Sequence, residues 1–325
     1  MKDHAKRLLR AVSFLFILAL LLYGSSQLLQ PKGNAREDGM HDATANGILS
    51  EPPNTLDVLF LGDSESYSSF IPLKIWQERG ITSYVCGTPG QKLFYTMEFL
   101  QKAFRNQSPK LVVLETNAMF RKYSPLDAAS NRLQNIFSVF RYHNRWKTLK
   151  PKDLKLSVNY NFVESAKGYV YNTAVNAAST KGCREPSEQK PPIPAGNVEQ
   201  IRAMDAFCRE RGARLIFVSV PSTINWNQKR HNAVAELARE LDVTYIDMNQ
   251  LPKEIPIDWN RDTADRGDHL NFHGAGKVTA YLSTYLAENG GFSDKRTWPA
   301  YRVWNDAVAL FNQKPNNALG AARSG

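Results

Sequence analysis

The sequence predicts an α/β fold, a three-layer α/β/α arrangement in which a five-stranded parallel sheet lies between two layers of helices. Five short segments rich in β-branched and aromatic residues are each bounded by turn residues, and helical segments separate them. Strands that alternate with helices need crossover connections, which produce parallel strands covered on both faces. The predicted strands are TLDVLFLG ending at Gly62, SYVCG at Gly87, KLVVLE at Glu115, RLIFVSVP at Pro221 and VTYIDM at Met248.

Four helices are predicted between and after these strands, because apolar residues recur three or four positions apart. In parallel sheets of this kind, ligands bind at the carboxyl ends of the strands, so polar residues there are the first candidates for a site. The helical faces consist of Leu93, Met97, Leu100 and Phe104; of Ile201, Met204 and Phe207; of Val234, Leu237 and Leu241; and of Val278, Tyr281, Leu282 and Tyr285.

The N-terminus predicts a transmembrane helix. A basic flank from Lys2 to Arg10 precedes the uncharged run from Ala11 to Gln30, which is long enough to cross a bilayer. The basic flank is expected on the cytoplasmic side. A cleaved signal peptide is the alternative, although residues 24–26, Gly-Ser-Ser, give no convincing cleavage pattern. We favour an uncleaved single-pass anchor, and with either outcome the rest of the chain lies outside the cytoplasm.

The chain is expected to have four regions. Residues 1–30 form the basic flank and anchor, and residues 31–54, poor in large apolar residues, form a stalk. Residues 55–310 form the main folded domain, interrupted at about 120–195 by an insertion that mixes aromatic and basic residues. That insertion either shapes a substrate site or partner surface or is a structural excursion without a role. Residues 311–325 form a polar tail.

Charge and cysteine content exclude some classes of function. The net charge of +10 comes from lysines and arginines spread along the chain without a recognition motif, so we expect no nucleic-acid partner. A basic surface also suits anionic lipid or wall polymer. The three cysteines have no metal-binding spacing, although Cys183 and Cys208 could pair in an oxidising compartment.

Ser64 is the candidate nucleophile, because LFLGDS places it just after a buried strand. A serine hydroxyl needs a base, and His269 lies in DRGDHLNFHG, between the last strand and the last helix, where the chain returns to the same sheet edge. A serine at such a turn is also a common helix N-cap. His273 lies four residues beyond His269, but no third metal ligand is evident, so we expect an exposed or capping histidine.

LFLGDS near the start of the fold and DHLNFHG near its end resemble the first and last motif blocks of the SGNH/GDSL hydrolase superfamily. VCGTPGQ resembles the second block, which implies Gly90 as a backbone oxyanion donor, with Gly87 as the weaker alternative. VVLETN resembles the third block and implies Asn117 as a side-chain donor. The resemblance covers residues 55–121 and 198–288 and implies the flavodoxin-like strand order of that superfamily.

The acid of the triad is a departure from the family pattern. The family usually has an aspartate three residues before the histidine, and here Arg266 occupies that position. Asp265 and Asp268 flank it. We favour Asp265, because the Arg266-Gly267 turn could fold it back to the imidazole, whereas the side chain of Asp268 is adjacent in sequence and badly placed to pair.

The resemblance is greatest to membrane-anchored bacterial members that work beside membrane-bound O-acyltransferases, such as the type that transfers D-alanine to teichoic acid. It implies an acyl-serine enzyme, an esterase or O-acyltransferase, that acts on an acylated cell-surface glycan or wall polymer and needs no cofactor and no metal. The alternatives are a plain carbohydrate esterase and a non-enzymatic accessory protein of an acyltransferase system. The implied partners are the polymer, a membrane-bound O-acyltransferase and the lipid bilayer.

Overall fold

The computed structural model describes residues 2–314, so residues 315–325 of the expected polar tail lie outside the described residues. The chain forms two compact units. The first contains the residues up to 43 together with 123–162, and the second contains 44–122 together with the residues from 163 onward.

The second unit contains the sheet. Within residues 2–314 it has five parallel strands in the order β2-β1-β3-β4-β5, the flavodoxin-like order, which confirms the predicted fold class. All five strands coincide with the segments predicted from the sequence. Their bounds are β1 Val58–Gly62, β2 Ser83–Gly87, β3 Leu111–Glu115, β4 Arg214–Ser219 and β5 Thr244–Asp247.

The helices include the four predicted ones, which are α5, α8, α9 and α10 in the numbering used here. The α-helices of residues 2–314 are α1 Lys2–Leu29, α2 Ala43–Asn46, α3 Ser64–Ser69, α4 Pro72–Arg79, α5 Leu93–Ala103, α6 Pro125–Ile136, α7 Val139–Tyr142, α8 Ala195–Glu210, α9 Gln228–Leu241, α10 Phe272–Asn289 and α11 Arg302–Phe311.

The core of the second unit lies on both faces of the sheet, as the period of two along a strand requires. In β1, Leu59 and Leu61 belong to the cluster formed with α5 and α8, whereas Val58 and Phe60 belong to the cluster formed with α10. All four side chains are fully buried. Because both faces are covered, the polar residues after each strand lie at the open carboxyl edge.

The first unit contains α1, α6 and α7. The most apolar stretch of α1, within residues 3–29, has a mean hydropathy of 2.0, and none of its residues is buried. The helix is long and apolar enough to cross a membrane, a property that a signal sequence near the N-terminus shares.

The segment for which we expected a stalk is packed and divided between the units. Asn34 is fully buried, and its side chain donates to the Phe162 carbonyl and accepts from the Phe162 amide at 2.9 Å each. In the second unit Glu51 forms a buried ion pair of 2.7 Å with Lys167. Composition failed to indicate this order because polar pairing, rather than large apolar residues, fixes much of the segment.

The expected insertion at 120–195 is also divided. Only residues 123–162 belong to the first unit, and residues from 163 onward belong to the second. The three cysteines, all within the described residues, are free and buried, so Cys183 and Cys208 do not pair.

Candidate active site

Ser64 is the first residue of α3, directly after β1, and it is 8% exposed. The helix cap is Asp63, whose Oδ1 accepts the Glu65 amide at 3.0 Å. Gly62, with φ of +156°, is required there, because a Cβ would lie 2.7 Å from the Glu115 Cβ. Since Asp63 provides the cap, the N-cap interpretation of Ser64 does not hold, and its hydroxyl is left for another role.

Asp265 and His269 are brought together by the loop before α10. The Asp265 carboxylate accepts the His269 amide through Oδ1 and His269 Nδ1 through Oδ2, both at 2.6 Å. A carboxylate at Nδ1 stabilises the tautomer that carries its proton there, so Nε2 keeps its lone pair. Nε2 is buried and has no hydrogen-bond partner among the described residues. This is the arrangement that a general base requires.

Two consecutive left-handed residues make the turn that returns Asp265 to the imidazole. Arg266 has φ of +65° and Gly267 has φ of +94°. A Cβ at Gly267 would lie 2.0 Å from Thr223 Oγ1, so only glycine fits. The Gly267 carbonyl accepts the Thr223 amide at 3.0 Å and the Ser222 hydroxyl at 2.8 Å, which fixes the loop against the segment after β4.

Asp268 has a different position. Its Oδ2 is 3.7 Å from His269 Nδ1, and its Oδ1 accepts the side-chain amide of Asn225. The same Asn225 nitrogen donates to Glu65 Oε1 at 2.6 Å. Asn225 therefore joins the residue after Ser64 to the residue before His269, and it holds Asp268 away from the imidazole.

We expect Asn225→Ala to lower the kcat of ester hydrolysis about tenfold to a hundredfold, the scale of hydrogen bonds to charged groups. The loss should appear in kcat rather than in KM, because the variant disturbs the alignment of Ser64 with His269. Asn232→Ala is the control, since the amide of Asn232 donates to the Ser187 carbonyl at 2.6 Å instead. An unchanged kcat in Asn225→Ala would rule out the positioning role.

Asn117 lies after β3 in a buried polar network. Its Nδ2 donates to Asp63 Oδ2 at 3.0 Å, and its Oδ1 accepts Arg230 Nη1 at 3.1 Å. Arg121 Nε also donates to Asp63 Oδ2, at 2.5 Å. Burial lowers the pKa of Arg230, while the charge of Glu115 opposes the shift. The fully buried Asp63 thus fixes the Asn117 amide, and one N–H of that amide remains for a ligand.

Two further carboxyl groups, Glu65 and Glu115, are buried beside this network. Burial raises the pKa of Glu65 well above its ordinary value, and the charge of Glu115 raises it further. Burial likewise raises the pKa of Glu115, with Asp63 as the next cause. Both residues line a cavity of about 10 Å³, which has room for about one water molecule.

The raised pKa values predict how stability depends on pH. Between the unfolded pKa near 4.5 and the higher folded pKa, the folded state binds more protons than the unfolded state. The free energy of unfolding should therefore fall as pH rises, by at most about 1.4 kcal/mol per pH unit for each group. Chemical denaturation across a pH series measures this slope.

Glu65→Gln should flatten that dependence, because the amide does not ionise. Glu236→Gln, at an exposed glutamate of α9, is the control and should keep the wild-type slope. Equal slopes in wild type and Glu65→Gln would show that Glu65 is ionised in the folded protein at these pH values.

Gly90 lies in the turn after β2. Pro89 and Gly90 occupy its centre, Gly90 has φ of +62°, and the Gln91 amide donates to the Thr88 carbonyl at 3.2 Å. Gly90 is exposed, and a Cβ there would meet nothing within 4 Å. Gly87 is enclosed, because a Cβ there would lie 2.4 Å from Ser66 Oγ. Gly90 is therefore the more exposed of the two predicted donors, whereas Gly87 packs against Ser66 of α3.

Tyr67 interacts with both the candidate nucleophile Ser64 and the candidate acid Asp265. Burial raises the pKa of its phenol, the charge of Asp63 raises it further, and an interaction with the Ser64 side chain opposes the shift. The charge of Asp265 also acts on this phenol. The Ser64 hydroxyl and His269 Nε2 are not hydrogen-bonded to each other within the described residues, and such bonds often tighten only when substrate binds.

The histidine loop also offers donors for a cation. Asp265, Asp268 and His269 place one ligand atom each within 4.8 Å of one another. The Nδ1 proton that His269 donates to Asp265 competes with such binding. His273, for which we expected an exposed or capping role, is half-buried in the first turn of α10, and Asn271 provides the cap at 3.0 Å.

The residues that sequence analysis missed are Asn225, Arg121 and Arg230. Asn225 and Arg230 belong to the segment from β4 to α9, which carried only a helical pattern, and Arg121 follows the short 3-10 helix Asn117–Phe120 after β3. The position of Arg121 after a strand end was the one available signal.

No protein-family model matches the chain, and no curated protein sequence matches it. Similar solved structures include a candidate platelet activating factor from Streptococcus pneumonia, with 13% identity and a TM-score of 0.42, covering 85% of this chain and 98% of that chain. A candidate acylhydrolase from Bacteroides fragilis has 12% identity and a TM-score of 0.38, covering 77% and 96%.

A mutant of an acetyl-xylooligosaccharide esterase from Geobacillus stearmophilus has 12% identity and a TM-score of 0.37, covering 74% of this chain and 96% of that chain. At these identities and TM-scores the likeness reaches no further than the fold.

Proposed function

We propose that this chain is an extracytoplasmic serine esterase or O-acyltransferase of the SGNH/GDSL type, which acts through an acyl-serine intermediate. The observation that carries the proposal is the Asp265 carboxylate on His269 Nδ1 at 2.6 Å, which leaves a buried, unpartnered Nε2. Ser64 supports it, because its hydroxyl is not used as the cap of α3. The order of the sequence motifs supports the same assignment.

The reaction has two halves. Ser64 Oγ attacks the ester carbonyl carbon while His269 Nε2 takes its proton, and the oxyanion is stabilised by the Gly90 amide and the Asn117 side-chain amide. The C–O bond to the alcohol then breaks, and Nε2 returns the proton to the leaving oxygen. In the second half, water or an acceptor hydroxyl loses its proton to Nε2 and attacks the acyl carbon, the bond from that carbon to Ser64 Oγ breaks, and Nε2 returns the proton to Oγ.

The proposed substrate is an acylated cell-envelope polysaccharide or teichoic acid, handled together with a membrane-bound O-acyltransferase. The apolar α1, with its basic N-terminal flank, supports a single-pass anchor. With that flank in the cytoplasm, the second unit of the chain would lie outside it. The net charge of +10 suits an anionic wall polymer.

A non-enzymatic accessory protein is the second candidate, and one observation favours it. The Asn117 side chain donates to Asp63 and accepts from Arg230, so its amide already has structural partners. In this alternative the network would stabilise the sheet edge, and the fold would hold an acyltransferase or polymer.

Hydrolysis of a chromogenic acetyl ester tests the proposal. We expect the purified chain to release the chromophore, Ser64→Ala to lack this activity, and Ser68→Ala, on the same helix, to keep it. Adding a polyol or polymer acceptor separates transfer from hydrolysis, since transfer yields an acylated acceptor. Two results together would favour the accessory protein: the folded wild type is inactive, and the wild type and Ser64→Ala capture a membrane-bound O-acyltransferase equally well.

A further inference from the structure

Helix α6 in the first unit has its polar face bound and its apolar face exposed. Arg141 Nη2, in α7, donates to Asn131 Oδ1 at 3.0 Å and to Asn135 Oδ1 at 2.9 Å, so these amides lie on the face of α6 toward α7. Leu126, Leu133 and Ile136 lie on the opposite face of α6, since they are seven and three residues apart. Their side chains are 77%, 44% and 68% exposed. Helices on water-soluble surfaces show the reverse arrangement.

Other large apolar side chains of the same unit are also uncovered. Trp146, Leu154 and Leu156 are each at least 65% exposed. Scattered apolar residues are ordinary on a protein surface, but a whole helical face together with an exposed tryptophan is typical of an interaction surface. We call the α6 face and Trp146 the apolar surface of the first unit.

Residues 123–162 are hydrogen-bonded to the C-terminal end of α1, which belongs to the same unit. The Ser138 hydroxyl donates to the Ser26 carbonyl at 3.1 Å, and the Val139 amide donates to Ser26 Oγ at 3.1 Å. Arg145 Nη1 donates to the Leu29 and Gln30 carbonyls at 2.7 and 2.8 Å. If α1 spans the bilayer, these bonds hold residues 123–162 where α1 leaves the apolar layer.

The charge of the unit complements an anionic lipid surface. Residues 123–162 contain seven basic and two acidic residues, a net charge of +5. Arg132, Lys147, Lys150 and Lys155 are exposed. The Lys147 ammonium lies 5.8 Å from the centre of the Trp146 ring. Tryptophan beside lysine is characteristic of membrane–water interfaces, and basic residues near the surface bind anionic headgroups.

We propose that residues 123–162 lie on the outer leaflet of the membrane that α1 crosses, with the apolar surface in the interfacial layer and the basic residues at anionic phospholipid headgroups. This inference rests on α1 being a retained anchor, which is part of the proposed function. It gives the first unit two attachments to the bilayer, α1 and α6, and thereby fixes its orientation.

Site-directed spin labelling of the full chain in vesicles containing phosphatidylglycerol tests the proposal. A nitroxide is placed at Leu133→Cys, at Leu15→Cys in α1 and at Lys229→Cys on α9. Cys183 is replaced by alanine, and the fully buried Cys86 and Cys208 are left in place. Oxygen concentrates in lipid and a nickel chelate in water, so the ratio of the two accessibilities reports the environment of each label.

We expect the ratio at position 133 to be several-fold higher than at 229 and to approach that at position 15. Replacing Lys147, Lys150 and Lys155 by glutamate should lower the ratio at 133, and so should neutral phosphatidylcholine vesicles. A lipid-exposed label at 15 with a water-exposed label at 133 would overturn the inference while leaving the anchor intact.

Two other results would also contradict the proposal. A label at 133 that is shielded from both reagents would mean that protein, such as a second copy of the chain, covers the apolar surface. Release of the protein from the vesicles in a form shortened at its N-terminus would remove the anchor on which the inference rests. Esterase activity is measured on the same samples, so that failure of the catalytic proposal is seen separately.

Discussion

A fluorophosphonate should label the wild-type chain at Ser64, and Ser64→Ala should abolish the labelling. The reagent reacts only with a serine that has a base beside it and donors for the phosphoryl oxygen. His269 presents the buried Nε2, and Gly90 and Asn117 are the proposed donors. Loss of the nucleophile should also lower the kcat of ester hydrolysis by about 10⁶-fold, the scale found when a triad serine is removed.

The controls separate chemistry from folding. Ser64→Ala should fold, because the cap of α3 is the Asp63 carboxylate and not the serine hydroxyl. Labelling should fall sharply in His269→Ala and persist in Ser68→Ala. Mass spectrometry of the labelled peptide identifies the modified residue. If the folded wild type takes no label while a known serine hydrolase in the same assay is labelled, the assignment of Ser64 as nucleophile is wrong.

The fold was predictable from the sequence because the strands are buried on both faces. In a segment such as VLFLG every residue is apolar or small, and all five are buried, so the pattern carried a strong signal. The helices between the strands have one buried face each, and their apolar spacing gave α5, α8, α9 and α10.

The division into two units was not predictable, because the polar contacts that produce it join distant positions. Asn34 and Phe162 are 128 residues apart in the sequence, and no periodicity links them. Residues 31–54 were therefore expected to be an unpacked stalk, although Asn34 and Glu51 are buried. Composition measures how much apolar surface a segment offers, but not which polar groups find partners.

The candidate site was predictable where its contacts are local. Asp265 and His269 are four residues apart, and the Arg266-Gly267 turn between them was visible in the sequence. The contact between Asn225 and Glu65 spans 160 residues, so no local pattern could reveal it. The catalytic roles of Ser64, His269, Asp265, Gly90 and Asn117 stay predictions.

Asp265→Asn should lower kcat by about 10² to 10⁴, whereas Asp268→Asn should change it much less. The Asp265 carboxylate accepts both the His269 amide and Nδ1, so it fixes the ring, and in the proposed mechanism it would stabilise the imidazolium formed during proton transfer. An asparagine at 265 carries no charge, and an N–H facing Nδ1 would favour the wrong tautomer. Asp268 instead accepts from Asn225, with its Oδ2 at 3.7 Å from Nδ1.

Steady-state kinetics on the chromogenic ester compares these two variants, and circular dichroism verifies that both fold. The pair is well matched because the side chains of Asp265 and Asp268 are similarly exposed, at 45% and 44%. A larger loss in Asp268→Asn would transfer the role to Asp268, which would then have to leave Asn225 and turn toward the imidazole in the substrate complex. Loss in neither variant would mean a Ser64–His269 dyad, in which a backbone carbonyl or solvent orients the ring. Arg266, and not an aspartate, lies three residues before His269, and the left-handed turn at Arg266 and Gly267 brings the Asp265 carboxylate to the imidazole from one residue earlier.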